Sequence, residues 1–138
     1  MNTSTLNLDK IAAECAQNIV KNVKEKSQGV KNPVDTLERL VTKTLGVLQQ
    51  QGIYAMMLFL FSRTSDEKKI APFIRSELYN MVKKLPEFEN ETVEDIPDKA
   101  LQFYSNNVLD NLDTLFLFRD LFEQTLIYTR FGAKAASE

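Results

Sequence analysis

The sequence predicts an all-α fold, a single-domain bundle of about five to six helices, and three observations lead there. Nine consecutive residues, Ile53 to Phe61, carry no charge. As a helix they rise about 13 Å, well short of a bilayer span, so the run reads as a buried element at 53–62 around which a bundle is built. Only Ile53 in it is β-branched, which favours helix over strand. The chain has just four Gly and four Pro among 138 residues, too few for the turns of an all-β fold. Elsewhere apolar residues recur three and four apart, the helical period.

The first helix is expected from Leu8 to Ser27, with Leu8, Ile11, Cys15, Ile19 and Val23 on one face. Lys10, Lys21 and Lys24 fall within about 60° of each other on the opposite face. That stripe is either a solvated outer face or a binding stripe. Gly29 ends the helix, and Asn32-Pro33 opens the next, with Asn as N-cap and Pro at the first helical position. Leu37, Leu40, Val41, Thr44 and Leu48 form its apolar stripe. Gly52 marks a break or a close helix crossing before the apolar run, which is expected to be covered on every face.

Arg63 to Lys69 is a polar turn with helix-start chemistry, in which Ser65 can cap and Asp66 and Glu67 complement the positive helix end. A fourth helix is expected to about Leu85, with Pro72 tolerated only in the first turn. Lys68, Arg75 and Lys83 share one side of it, with Tyr79 between them. Basic residues flanking an aromatic can follow a phosphate backbone and stack a base, although any solvated face looks alike. Pro86 to Asp98 holds six acidic residues, no basic ones and two prolines, and reads as a solvated, mobile loop. It lacks the spacing of a calcium loop. A weak helix follows Pro97-Asp98, from Lys99 to about Asn106.

The last helix, from Leu109 to about Ala135, is the longest. Leu115, Leu117, Phe118, Leu121, Phe122, Leu126 and Tyr128 span its buried arc. Phe116, Ile127 and Phe131 project on the other side among Arg130, Lys134 and several carboxylates, which predicts a second contact surface or cover by another helix of the domain. Residues 1–6 and 136–138 are expected to fray.

Net charge is −2, unevenly spread. Residues 1–85 hold 13 Lys/Arg against 8 Asp/Glu, a net of +5, and residues 86–138 hold 4 against 11, a net of −7. The basic half keeps nucleic acid in play as a partner. A single cysteine, Cys15, excludes an intramolecular disulfide, and the polar first ten residues resemble no secretory leader, so a cytoplasmic location is expected. Histidine is absent, which removes the commonest general acid–base and zinc ligand. No phosphate loop, GxSxG, CxxC or HExxH occurs. No enzyme activity, metal or cofactor is expected, and no membrane association.

Two segments carry a resemblance. Gln-Gln-Gly-Ile-Tyr-Ala-Met-Met-Leu-Phe-Leu at 50–60 resembles the glycine-then-apolar-helix segment of the small subunit of type III-B (Cmr) CRISPR effector complexes. Leu-Phe-Glu-Gln-Thr-Leu-Ile-Tyr-Thr-Arg-Phe-Gly-Ala-Lys-Ala at 121–135 resembles that family's closing helix. The resemblance implies a non-catalytic subunit that stacks head to tail along the backbone of the complex, with other effector subunits, guide RNA and target RNA as partners. On the residues themselves, Lys10, Lys21, Lys24, Lys68, Arg75, Tyr79 and Lys83 are candidates for RNA-backbone contact. Phe116, Ile127, Phe131, Arg130 and Lys134 are candidates for a protein interface. The alternative is a protein-only helical adaptor or oligomerisation module without RNA binding. A helix-turn-helix regulator is disfavoured, because residues 53–61 offer a DNA groove no base-edge donors.

Overall fold

The computed structural model describes residues 7–137. They form one all-α bundle of six helices: α1 (Leu8–Lys26), α2 (Pro33–Gln51), α3 (Ile53–Phe61), α4 (Ser65–Val82), α5 (Pro97–Phe103) and α6 (Leu112–Ala136). A 3-10 turn at Pro86–Phe88 follows α4, and a π-helical turn at Tyr104–Val108 continues α5. The expectation of frayed ends falls on residues 1–6 and 138, outside the described residues, and on Ala136 and Ser137. Ala136 still closes the helix, and Ser137 is its C-cap.

α6 packs along both α1 and α2, and α4 closes the other side of α1. Side chains mark each junction. Gly132 of α6 sits against Val20 of α1. Arg119 Nη2 donates to the carbonyl of Gln49 at 2.9 Å, satisfying one of the unpaired carbonyls in the last turn of α2. Cys15 Sγ faces the Glu77 carbonyl of α4 at 3.5 Å. Thr44, Thr125 and Thr129 are fully buried, and each hydroxyl donates to the carbonyl four residues back, so none is left unpaired in the core.

Gly52 divides α2 from α3. Its φ of +96° and ψ of −174° belong to a region that is almost exclusively glycine's, and a β-carbon there would meet nothing within 4 Å. The glycine therefore serves a chain break, not a close crossing. Its N–H still donates to the Leu48 carbonyl and its carbonyl accepts from Met56, both at 3.0 Å, so neither helix end loses a bond.

Four expectations are corrected. The apolar run is covered along Ile53, Met56, Met57 and Leu60, but Tyr54 and Leu58 reach the surface, Leu58 to 46%. Pro72 lies well inside α4, beyond the first turn, and the helix passes through it. Ser65 is the first residue of α4 at φ +55°, and Thr64 stands at the N-cap, so Ser65 does not cap. The acidic stretch is not simply solvated: Phe88 is buried, Val93 packs on the core, and Asp95 is bound to α4.

Asn7 and Asn111 supply the side-chain caps of α1 and α6, accepting from Lys10 N at 3.0 Å and Thr114 N at 3.1 Å. Asn111 thus starts α6 at Leu112, one turn later than the periodicity suggests. Between α5 and α6 the Leu109 N–H bonds the Tyr104 carbonyl at 2.9 Å, five residues back, and this π turn drives the Tyr104 ring into the core. There it meets Phe103 and Phe122 edge-on, and Phe88 and Phe118 extend the cluster.

Candidate nucleic-acid interface

The outer face of α1 is open and carries a stripe of lysines bordered by the exposed carboxylates of Glu14 and Glu25. Lys10, Lys21 and Lys24 are all exposed. The ion pairs among the described residues are Lys43–Glu67, Arg63–Glu67 and Arg75–Asp95, so none of the three is engaged. Lys21 and Lys24 also edge a groove of about 610 Å³ between α1 and α6. Its floor is made of small residues, Ala13, Ala16, Val20, Gly132 and Ala136, and Tyr128 stands at its rim, where its hydroxyl donates to Asp9.

On α4 the structure separates what the sequence grouped. Lys68 and Lys83 are exposed, about 22 Å apart along the helix. Between them Arg75 and Tyr79 are occupied. Arg75 holds Asp95 with two hydrogen bonds, Nε to Oδ1 at 2.7 Å and Nη2 to Oδ2 at 3.2 Å, while Nη1 donates to the Leu60 carbonyl at 2.9 Å. Its guanidinium lies 4.4 Å from the centre of the Phe61 ring. The Tyr79 hydroxyl donates to Asp95 Oδ1 at 2.9 Å. Burial, with the carboxylate beside it, pushes the Tyr79 phenol above its ordinary range. Tyr79 is 7% exposed and presents no ring face on which a base could stack. The reading of Tyr79 as a stacking residue is therefore corrected for this conformation. The signal missed was the partner: Asp95 lies twenty residues from Arg75, and no local pattern links them.

The outer side of α6 is a string of separate points. Phe116 and Phe131 are 56% and 63% exposed, about 22 Å apart along the helix, with Arg130 and Lys134 exposed near the second. Ile127 is half-buried and packs on the core, so it leaves the predicted surface. Leu112 takes its place, one turn before Phe116 and equally open. Its membership was hidden because the periodicity begins the helix at Leu109.

Cys15 is buried, and its thiol is pushed up to about 12 by desolvation, with the Glu77 carboxylate adding to the effect. It is poorly placed to act as a nucleophile. No group of three or more metal-ligating side chains occurs among the described residues, and no helix is long and apolar enough to cross a membrane. No family model matches the chain, and comparisons with curated proteins and with solved structures find no match either.

Proposed function

We propose that this protein is a non-catalytic small subunit of an RNA-guided, type III-B CRISPR effector complex, holding RNA through its phosphate backbone. The observation that carries the RNA part is the α1 face, where Lys10, Lys21 and Lys24 stand exposed on one helix with no ion pair among the described residues. Cations that meet phosphates and leave the bases unread suit a subunit that must accept any guide sequence. The glycine-led helix at 50–60 and the closing helix at 121–135 support the choice of family. The apolar points on α6, Phe116 and Phe131, suit contact with neighbouring subunits, including a second copy.

A second reading, a helical adaptor that binds protein alone, is favoured by the α1–α6 groove, whose floor of small apolar residues suits a partner helix. One experiment separates the two. A tagged copy recovered from its native cell should bring down a large ribonucleoprotein with short RNAs of uniform length. Substituting Lys10, Lys21 and Lys24 by Glu should reduce the RNA recovered and flatten the salt dependence of binding. Recovery with one protein partner and no RNA would leave the adaptor reading in place.

A further inference from the structure

Arg75, Tyr79 and Lys83 follow one another at intervals of four residues and so form one column along α4 and its C-cap, Lys83. The first two converge on a pair of oxygens. The guanidinium fork offers two parallel N–H groups and the phenol a third donor, an arrangement that receives phosphate oxygens as readily as a carboxylate. These donors are held by the body of the fold. The Leu60 carbonyl and the Phe61 ring fix the guanidinium, and Tyr79, itself buried, projects from the last turn of α4.

The carboxylate they hold is attached differently. It belongs to the stretch between the 3-10 turn at Pro86–Phe88 and α5, which has no regular structure. From Thr92 to Asp95 the hydrogen bonds to the rest of the described residues all end on the Asp95 side chain. Val93 adds a partly buried apolar contact. The strap is also uniformly acidic, with Glu89, Glu91, Glu94 and Asp95 in seven residues. Beside it, a depression of about 390 Å³ is lined by Ser76, Asn80, Lys83 and Thr92 along with Tyr79 and Asp95. One carboxylate of this acidic stretch, Asp95, thus occupies the donors that a phosphate would take.

We propose that Arg75 and Tyr79, with Lys83 at the edge, form a phosphodiester-binding site that the chain's own Asp95 strap covers, so that RNA and the strap compete for the same donors. The inference rests on the RNA-binding reading above and adds a second, gated contact to the open α1 face. A tethered competitor acts at a high effective concentration, and the site's apparent affinity for RNA is its intrinsic affinity multiplied by the fraction of molecules in which the strap is away.

The test uses a short oligouridylate RNA at low salt and the full chain. Asp95→Ala should bind about tenfold more tightly than the unaltered protein, the factor expected if the strap is closed in about nine molecules of ten. The doubly substituted Asp95→Ala/Arg75→Gln should lose that gain. A folded Asp95→Ala with unaltered affinity would overturn the proposal and leave the pair as a structural staple. Should Asp95→Ala not fold, cleavage of the unaltered protein by a glutamyl endopeptidase decides. RNA should speed cleavage after Glu94, beside the Asp95 anchor, and unchanged cleavage with RNA bound overturns the proposal. Binding that depends only on Lys10, Lys21 and Lys24 sinks the gated site but spares the RNA reading. No binding by either protein sinks both.

Discussion

Gly132 of α6 faces Val20 of α1: a β-carbon on Gly132 would stand 3.4 Å from Val20 Cγ2. That is van der Waals contact, so the spacing of the two helices here admits a methyl group without forcing them apart. Both residues also line the groove beside Lys21 and Lys24, so the spacing of α1 and α6 and the shape of that groove have one origin.

Substitution at Gly132 should accordingly depend on size. Alanine fits at van der Waals distance and removes a flexible residue from a helix interior, so Gly132→Ala should stabilise by about 0.5–1 kcal/mol. Valine places a branched carbon against Val20 with one favoured rotamer, and Gly132→Val should cost about 1–3 kcal/mol. Urea denaturation of the two variants checks the reversal of sign. Two values of the same sign would mean that the helices part easily at this crossing.

At Gly52 the constraint is in the backbone alone. Nothing crowds the position, yet its φ and ψ are open to few residues other than glycine, so Gly52→Ala should destabilise by about 1–3 kcal/mol. A chemical denaturation curve gives the value directly. A neutral result would mean that α2 and α3 can join as one continuous helix in the variant.

These two glycines show what the sequence could and could not reveal. The break at Gly52 and the start of α2 at Pro33 were legible because punctuation residues act locally. Outward-facing Tyr54 and Leu58 were not, because a uniformly apolar run has no polar residue to mark its exposed side. The π turn at Tyr104–Val108 rests on the rest of the fold and carries no signature of its own. At the candidate site, the exposure of Lys10, Lys21 and Lys24 followed from helical period. The engagement of Arg75 and Tyr79 depended on a chain return from Asp95 that no spacing rule contains.

Phe116 and Phe131 make a separate prediction. Both are largely exposed, so Phe116→Asp and Phe131→Asp should each change the stability of the isolated protein by less than about 0.5 kcal/mol. Recovery of partner proteins with the tagged variants should fall if these points are contact sites. Undiminished recovery would remove α6 from the interface.

The Tyr104 hydroxyl is fully buried and meets no hydrogen-bond partner among the described residues. Burial alone pushes its ionisation above the ordinary range. Tyr104→Phe keeps the edge-on contacts with Phe103 and Phe122 and removes the desolvated hydroxyl, so it should stabilise by about 1–3 kcal/mol. A lower melting temperature would show that the hydroxyl has a favourable contact after all.

Cys15 predicts how stability responds to alkali. Its thiol has an ordinary pKa of 9.0 and is raised to about 12 in the fold, chiefly by burial. The folded protein keeps this proton where the unfolded chain releases it. The thiol's contribution is therefore complete below pH 9 and declines by up to about 1.4 kcal/mol per pH unit as pH rises towards 12. Tyr79 and Tyr104, also raised, steepen the decline above pH 10. Comparing the unaltered protein with Cys15→Ala between pH 8.5 and pH 10 isolates the thiol, because the tyrosines are common to both. The variant should lose stability more slowly with rising pH across that window. Parallel curves would mean that the thiol reaches water in the native state, and maleimide should then label it without denaturant.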